Sequence, residues 1–364
     1  MIRKYVVTNS LASQIDRTGT SPVRAGLEID IDAVESYFKE NIDNFSGSIT
    51  VTQFKGGQSN PTYKVEADNK AWVIRRKPPG TLVPSAHAVD REYRILCALQ
   101  QTDVPVPKAF SLCMDKNVLG TEFFVMEFLN GRVFWDRLLP DMTTNQRMKI
   151  YDALNNGIST LHGVDANEVG LDTFGKSGGY VDRQLRRWGR QYLEADDERI
   201  PEMDNLIGWL KDHNPKNQET SIVHGDLTLN NVIFHPSAPD IIGILDWELS
   251  TLGNPVADFA YQAIQWRIPN HLYGGLGGIN LENLGIPTEN QYLASYCQRT
   301  NRDRISDWPF YMAFSMFKWA SIHYGIRVRR KAGTASGISS SHKKDSARPY
   351  AQLAWKQVTE FGLD

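Results

Sequence analysis

The chain has 364 residues, with 40 Lys and Arg against 42 Asp and Glu, a formal charge of −2. That near-neutrality argues against a dedicated nucleic-acid binder, which carries a basic excess, and 41% hydrophobic with 23% charged residues excludes a disordered composition. Three scattered cysteines (Cys97, Cys113, Cys297) form neither a disulfide framework nor a zinc pattern, and no apolar run is long enough for a membrane span or a secretory leader. The expectation is a cytoplasmic enzyme of roughly two domains, with no nucleic-acid or membrane partner and an oligomeric state that composition leaves open.

Residues 1–27 are polar and mixed and read as an N-terminal arm. Asp32 is a candidate N-cap, followed by Val34, Tyr37, Phe38 and Ile42 at helical spacing. Strands are predicted over 48–54, 61–67 and 71–77, the last two joined by Asp68-Asn69-Lys70. A Pro- and Gly-rich loop at 78–84 precedes a helix over 90–99. Strands over 109–114 and 119–128 follow, with a turn at 115–117, and Asn130-Gly131 breaks the pattern. Beyond that point the period is helical, over 144–162, 180–193, 203–211, 256–267, 289–299 and 308–328. A Ser-, Gly- and Lys-rich loop at 330–348 leads to a last helix over 349–361. One β-like island, at 222–223, 232–234 and 241–245, interrupts the helices. The split is an N-lobe over 28–129 and a C-lobe over 130–364.

The strongest chemical feature is His224-Gly225-Asp226, with Asn231 five residues on and Asp246 twenty residues after the first Asp. Two hard oxygen ligands at strand ends suit Mg²⁺, which takes one or two protein carboxylates and completes its shell with water and phosphates. The remaining Asp226 can accept a hydroxyl proton or orient a nucleophile.

The segments HGDLTLNN (224–231), LDWELSTLGNPVADFA (245–260) and VMEFLNG (125–131) resemble the aminoglycoside phosphotransferase group of protein-kinase-like enzymes. The resemblance is strongest to the branch found fused to acyl-CoA dehydrogenases, through FKGGQSNPTYKV, VIRRKPPG and GGYVDRQLRRW, and it runs from about residue 28 to at least 330. It implies an α+β, protein-kinase-like two-lobed fold, with a small antiparallel β lobe carrying one main helix and a larger, mainly helical lobe. It implies that Asp226 is the catalytic-loop Asp and that Asn231 and Asp246 ligate Mg²⁺, with ATP as phosphate donor and GTP an open alternative. Trp247-Glu248 stands where protein kinases have Phe-Gly. Asp258 is expected to bond catalytic-loop backbone as a cap, and His224 to brace the same loop.

In the small lobe, Lys55-Gly56-Gly57-Gln58-Ser59-Asn60 lies between two strands. Gly57 lets backbone approach phosphates, and Ser59 and Asn60 can donate to them, although Gly-Gly between strands is most often only a turn. Strand alternation puts Val73, Arg75 and Lys77 on one face. The resemblance implies that Arg75 takes the place of the kinase phosphate-binding lysine, with Lys77 as the register alternative and Glu92 as its ion-pair partner or a solvated helix carboxylate. The resemblance also implies that the backbone carbonyl of Glu127 and amide of Leu129 lie at the adenine edge.

Arg183, Arg186, Arg187 and Arg190 recur at i, i+3, i+4 and i+7. A solvated basic face is the ordinary outcome; an anion site using Arg183 and Arg187 is the sharper alternative. Glu248 is a further acceptor-side candidate. Polycationic aminoglycosides call for an acidic pocket, so the arginines favour an anionic hydroxy-acid or hydroxyacyl-CoA acceptor. His162 reads as a cap or core contact. The expected activity is transfer of a γ-phosphate to a small-molecule hydroxyl. Its rivals are an aminoglycoside phosphotransferase, a pseudokinase-like nucleotide-binding module and a metal-dependent hydrolase.

Overall fold

The computed structural model describes residues 18–56, 60–80, 88–216, 219–333 and 347–360. In chain order the elements are β1 (Thr20–Ser21), α1 (Ile31–Asn41), β2 (Thr50–Phe54), β3 (Thr62–Ala67), β4 (Lys70–Arg76), α2 (Val89–Leu99), β5 (Ala109–Cys113), α3 (Lys116–Leu119) and β6 (Phe123–Glu127). Then come α4 (Thr144–His162), α5 (Tyr180–Leu193), α6 (Pro201–Asp212), β7 (Ser221–Val223), β8 (Val232–Phe234), β9 (Ile241–Ile244) and β10 (Thr251–Gly253). The chain closes with α7 (Pro255–Ala263), α8 (Asn270–Tyr273), α9 (Glu289–Arg299), α10 (Trp308–Lys331) and α11 (Ala347–Glu360). No described helix is long and apolar enough to cross a membrane.

The chain forms two compact units. The first holds the residues up to Asp136 together with Leu229–Glu248; the second holds Arg137–Thr228 and Leu249 onward. A single cut after residue 129 therefore differs from the observed division. The reason is backbone pairing. Arg132 exchanges hydrogen bonds with Phe234, N–H to O 2.8 Å each way, and Ile244 donates to the Pro105 carbonyl at 2.8 Å. Gly131 permits this approach, because a Cβ there would lie 2.3 Å from the Phe234 carbonyl oxygen.

In the first unit an antiparallel sheet runs in the order β1-β2-β3-β4-β6-β5. Its two faces differ in chemistry because side chains alternate. Tyr63, Val65, Trp72, Ile74, Phe123 and Val125 point to one face and join Val34 and Phe38 of α1 in a dry core. Thr62, Val73, Arg75, Phe124 and Met126 point to the other, where α2 contributes Glu92 and Leu96. Burying the apolar face of this sheet against α1 stabilises the unit, at about 25 cal/mol per Å² of apolar surface.

Local departures from the sequence reading have physical causes. The cap of α1 is Asp30, whose Oδ1 accepts the Ala33 N–H at 3.1 Å; Asp32 instead sits in the first turn, where its charge suits the helix dipole. Part of the expected N-terminal arm is a strand, since Thr20 and Ser21 pair with Phe54 and Gln53. Asp115 caps the one-turn helix α3, which Gly120 ends in the left-handed region at φ 79°, so β6 begins at Phe123.

In the second unit α10 packs against α5, α6, α7 and α11. Phe259 of α7 stacks on Tyr296 of α9 with ring centroids 3.9 Å apart. The short strands β7 and β10 pair antiparallel, Val223 opposite Thr251, and so fix the start of the 224–226 turn.

Candidate active site

In the first unit a cavity of about 350 Å³ opens on the Arg75-bearing face of the sheet, within the ~300–1,000 Å³ range of small-ligand sites. Gly56, Val73, Arg75, Glu127, Leu129, Asn231 and Asp246 are among its lining residues. Arg75 organises it. Its Nε lies 2.7 Å from Glu92 Oε2, its Nη2 donates to Asp246 Oδ1 at 2.7 Å, and Glu248 Oε2 is 4.0 Å from the same nitrogen. Lys77 points elsewhere, 3.7 Å from Glu122. Asn60, read from sequence as a phosphate donor, gives its Nδ2 to Glu92 Oε1 at 2.8 Å. Gly57 and Ser59 lie outside the described residues.

Burial works against the charge on Arg75 and is outweighed by Glu92, then by Asp246 and Glu248, so the guanidinium is held above its ordinary range. Burial pushes the Glu92 carboxyl up, against the pull of Arg75. Asp246 sits at φ 68°, the left-handed region, which Asp tolerates better than most non-glycine residues. Trp247 locks the turn from within; its ring is buried and its Nε1 donates to the Ile244 carbonyl at 2.9 Å. The Leu245 N–H donates to the Asn231 carbonyl at 2.8 Å, which ties the two loops together. Asn231 and Asp246 offer two hard oxygen donors with no thiolate or imidazole, a set suited to Mg²⁺. Among the described residues no group of three or more His, Cys, Asp or Glu could hold a metal ion.

The second unit holds the 224–226 turn. Asp258, near the start of α7, accepts the backbone N–H of His224 and of Gly225, each at 2.8 Å. His162 Nε2 meets the same carboxylate at 3.2 Å, and His162 Nδ1 meets the Tyr296 hydroxyl at 2.8 Å. Burial opposes the Asp258 charge, but His162 and His224 outweigh it and hold the carboxyl below its usual range. The Asp226 N–H donates to His224 Nδ1 at 3.2 Å, so that nitrogen is unprotonated in this geometry. Gly225 has φ 86°, and a Cβ there would lie 2.9 Å from Leu249 Cβ. Only glycine meets both demands.

A family model described as "Phosphotransferase enzyme family" matches residues 50–303. The chain belongs to this phosphotransferase family. A mouse protein named acyl-CoA dehydrogenase family member 10 is 41% identical over 94% of the chain, which spans 32% of that relative's length. A Ralstonia eutropha crystal structure, provisionally named an aminoglycoside phosphotransferase, superposes with a TM-score of 0.84 at 43% identity, covering 92% of this chain and 99% of that one. The fold also matches choline kinase from Cryptosporidium parvum, with a TM-score of 0.62 at 14% identity over 91% and 96% of the two chains. A ternary complex of the aminoglycoside phosphotransferase APH(4)-Ia with AMP-PNP and hygromycin B matches with a TM-score of 0.58 at 12% identity over 91% and 99%. The kinase-like α+β architecture expected from the motifs is thus the fold of this chain.

Two buried groups beside the turn have partners that the sequence does not assign, although His162 reads as a cap or core contact. His162 closes α4 and orients Asp258; nothing in its local sequence marks that role. Lys318 is 5% exposed and donates its Nζ to the Gly225 carbonyl at 2.8 Å. Its signal was present as a lone charge within the apolar run 309–326. The arginine stripe is partly committed: both Nη atoms of Arg183 donate to backbone, to the carbonyls of Gly178 and Lys176. Arg187 is exposed, with its guanidinium 5.1 Å from the Trp188 ring centroid.

Proposed function

We propose that the protein is an ATP-dependent phosphotransferase that phosphorylates a small-molecule hydroxyl. The observation that carries this reading is Arg75, bridging Glu92 and Asp246 inside the cavity that Asn231 also lines. In this reading the Arg75 fork binds nucleotide phosphate oxygens, Leu129 and Glu127 present backbone to the base, and Asn231 and Asp246 hold Mg²⁺. When bound, Mg²⁺ neutralises charge on the transferred phosphoryl group. Asp226 orients the acceptor hydroxyl and accepts its proton. Asp258 and His224 keep the turn that carries Asp226 in one conformation, so rate comes from positioning and preorganised charge.

For the acceptor we favour a hydroxyacyl-CoA or another anionic hydroxy-acid. The support is the naming of the mouse relative as an acyl-CoA dehydrogenase family member and the exposed guanidiniums of Arg186, Arg187 and Arg190 on α5. Arg183 drops out of that set because its guanidinium serves backbone carbonyls. Glu248 faces Arg75 at 4.0 Å and belongs with the nucleotide-side charges in this reading. The test is a Mg-ATP consumption screen over hydroxy-acids, hydroxyacyl-CoAs, choline-like alcohols, sugars and aminoglycosides. Turnover with the acyl-CoA or hydroxy-acid group is expected. Activity confined to aminoglycosides would overturn the acceptor assignment, and nucleotide binding without any transfer would leave the pseudokinase-like module.

A further inference from the structure

Lysine is among the residues least often fully buried without a compensating partner. Lys318 is the one lysine among the buried polar residues described, and it sits near the middle of α10, the longest described helix. Its Nζ donates to the Gly225 carbonyl at 2.8 Å and lies 3.9 Å from the centroid of the Tyr261 ring. A cation over an aromatic face is attracted by the ring quadrupole, more strongly once desolvated, which helps explain why the charge is tolerated there. No third acceptor engages the ammonium among the described residues.

The carbonyl it holds belongs to the peptide that joins Gly225 to Asp226. Consider the groups around that peptide. The Gly225 N–H is taken by Asp258 Oδ1 and the His224 N–H by Asp258 Oδ2. The Asp226 N–H is taken by His224 Nδ1. Lys318 supplies the side-chain donor that the Gly225 carbonyl receives. A peptide fixed at its N–H alone can still swing about the flanking torsions, and glycine at φ 86° resists that swing less than any other residue.

We propose that Lys318 is a positioning residue: its ammonium clamps the Gly225 carbonyl and thereby sets the direction in which Asp226 leaves the turn. The proposal rests on the phosphotransferase reading, which makes Asp226 the group that meets the acceptor. Lys318 acts through the loop and touches neither nucleotide nor acceptor. The charged and titratable groups facing it are Asp226 itself, Asp258 and Tyr261 of α7, and Arg187 of α5. Burial draws its ammonium down, the two aspartates oppose this, and the value settles at about 8. The charged clamp therefore weakens within an accessible pH range, on the alkaline side.

The test compares wild type with Lys318→Met, which removes donor and charge, and Lys318→Gln, which keeps an N–H donor without charge. Mg-ATP consumption is followed with water and with the acceptor panel from pH 6 to 10, alongside ATP affinity and thermal melting. The expected result for Lys318→Met is a kcat loss of about tenfold to a hundredfold, the cost of an ångström-scale misplacement, with the ATP KM within about twofold of wild type. Wild-type kcat should fall as pH rises through about 8, and Lys318→Gln should lose that limb. Wild-type kcat in a folded Lys318→Met, or a joint change of kcat and KM, would overturn the clamp. So would an alkaline limb identical in wild type and Lys318→Gln, a comparison that stands even if the Met variant does not fold. Absence of any wild-type transfer, hydrolysis included, sinks the phosphotransferase reading and the clamp together; wild-type turnover with unaltered variants sinks the clamp alone.

Discussion

Glu92 and Asp258 are both buried carboxylates, one in each unit, and they are held in opposite ways. Glu92 faces a full positive charge, the Arg75 guanidinium, and takes one amide bond from Asn60. Its carboxyl is nevertheless pushed up, because burial outweighs the pairing. Asp258 faces two backbone N–H groups and an imidazole, and its carboxyl is pulled down in spite of burial. Fixed dipoles aimed at one carboxylate stabilise its charge with little reorganisation, whereas a buried ion pair must offset the desolvation of both partners. The contrast suits the two jobs proposed. Arg75 has to exchange partners when phosphate arrives, and a pair of modest net strength permits that. The 224–226 turn has to stay still, and Asp258 keeps it so.

The largest effects should come from the groups that meet the reactants. Asp226→Ala and Asp246→Ala are each expected to lower kcat by at least ~10³-fold, and Asp246→Ala should also weaken Mg-nucleotide binding. Full transfer by either variant would remove the assignment. Next comes Asp258→Asn, which strips charge from a carboxylate that holds two backbone donors and His162; a loss of about 3 kcal/mol is expected by denaturant melting. Its pH signature has a definite sign. A carboxyl lowered in the folded state contributes stability above its unfolded value of about 3.9, and that contribution is lost as pH falls. Wild type should therefore gain on Asp258→Asn as pH rises from the acid side.

Glu92→Gln should show the reverse. A carboxyl raised in the folded state contributes below its unfolded value of about 4.3, and loses that contribution as pH rises through the folded one. Wild type should lose ground to Glu92→Gln over that climb, while the variant's nucleotide KM rises by roughly tenfold, a charge-assisted bond to Arg75 having been weakened. Two melting curves with slopes of the same sign would erase the contrast. The smallest effect belongs to Lys77→Ala. Its partner Glu122 is 3.7 Å away at a partly exposed site, so stability should move by less than ~0.5 kcal/mol and nucleotide KM should not change. A large KM effect there would return the phosphate contact to Lys77.

How much of this was legible in the sequence depended on range. Alternation in β4 separated Val73 and Arg75 from Trp72 and Ile74, and the structure has the same two faces, because a pleated strand leaves no other choice. The kinase-like α+β fold followed from spaced motifs. The short elements β1, α3 and β10 carry too little periodicity to register and depend on pairing or caps, whereas the equally short β7, β8 and β9 stand out as apolar runs. Asn60 and His162 were harder still. Asn60 meets a residue 32 positions away, and His162 one 96 positions away; no local pattern encodes such contacts. Lys318 was visible as a charge out of place, yet its partner Gly225 lies 93 positions distant.

The central claim is that nucleotide binding and transfer belong to different groups. Calorimetric titration of ATP with and without Mg²⁺, on wild type, Asp246→Ala and Asp226→Ala, tests it most directly. Wild type and Asp226→Ala should bind ATP with the same Mg²⁺-dependent gain in affinity, and Asp246→Ala should lose that gain. Equal loss in both variants, or no nucleotide binding by wild type, would contradict it.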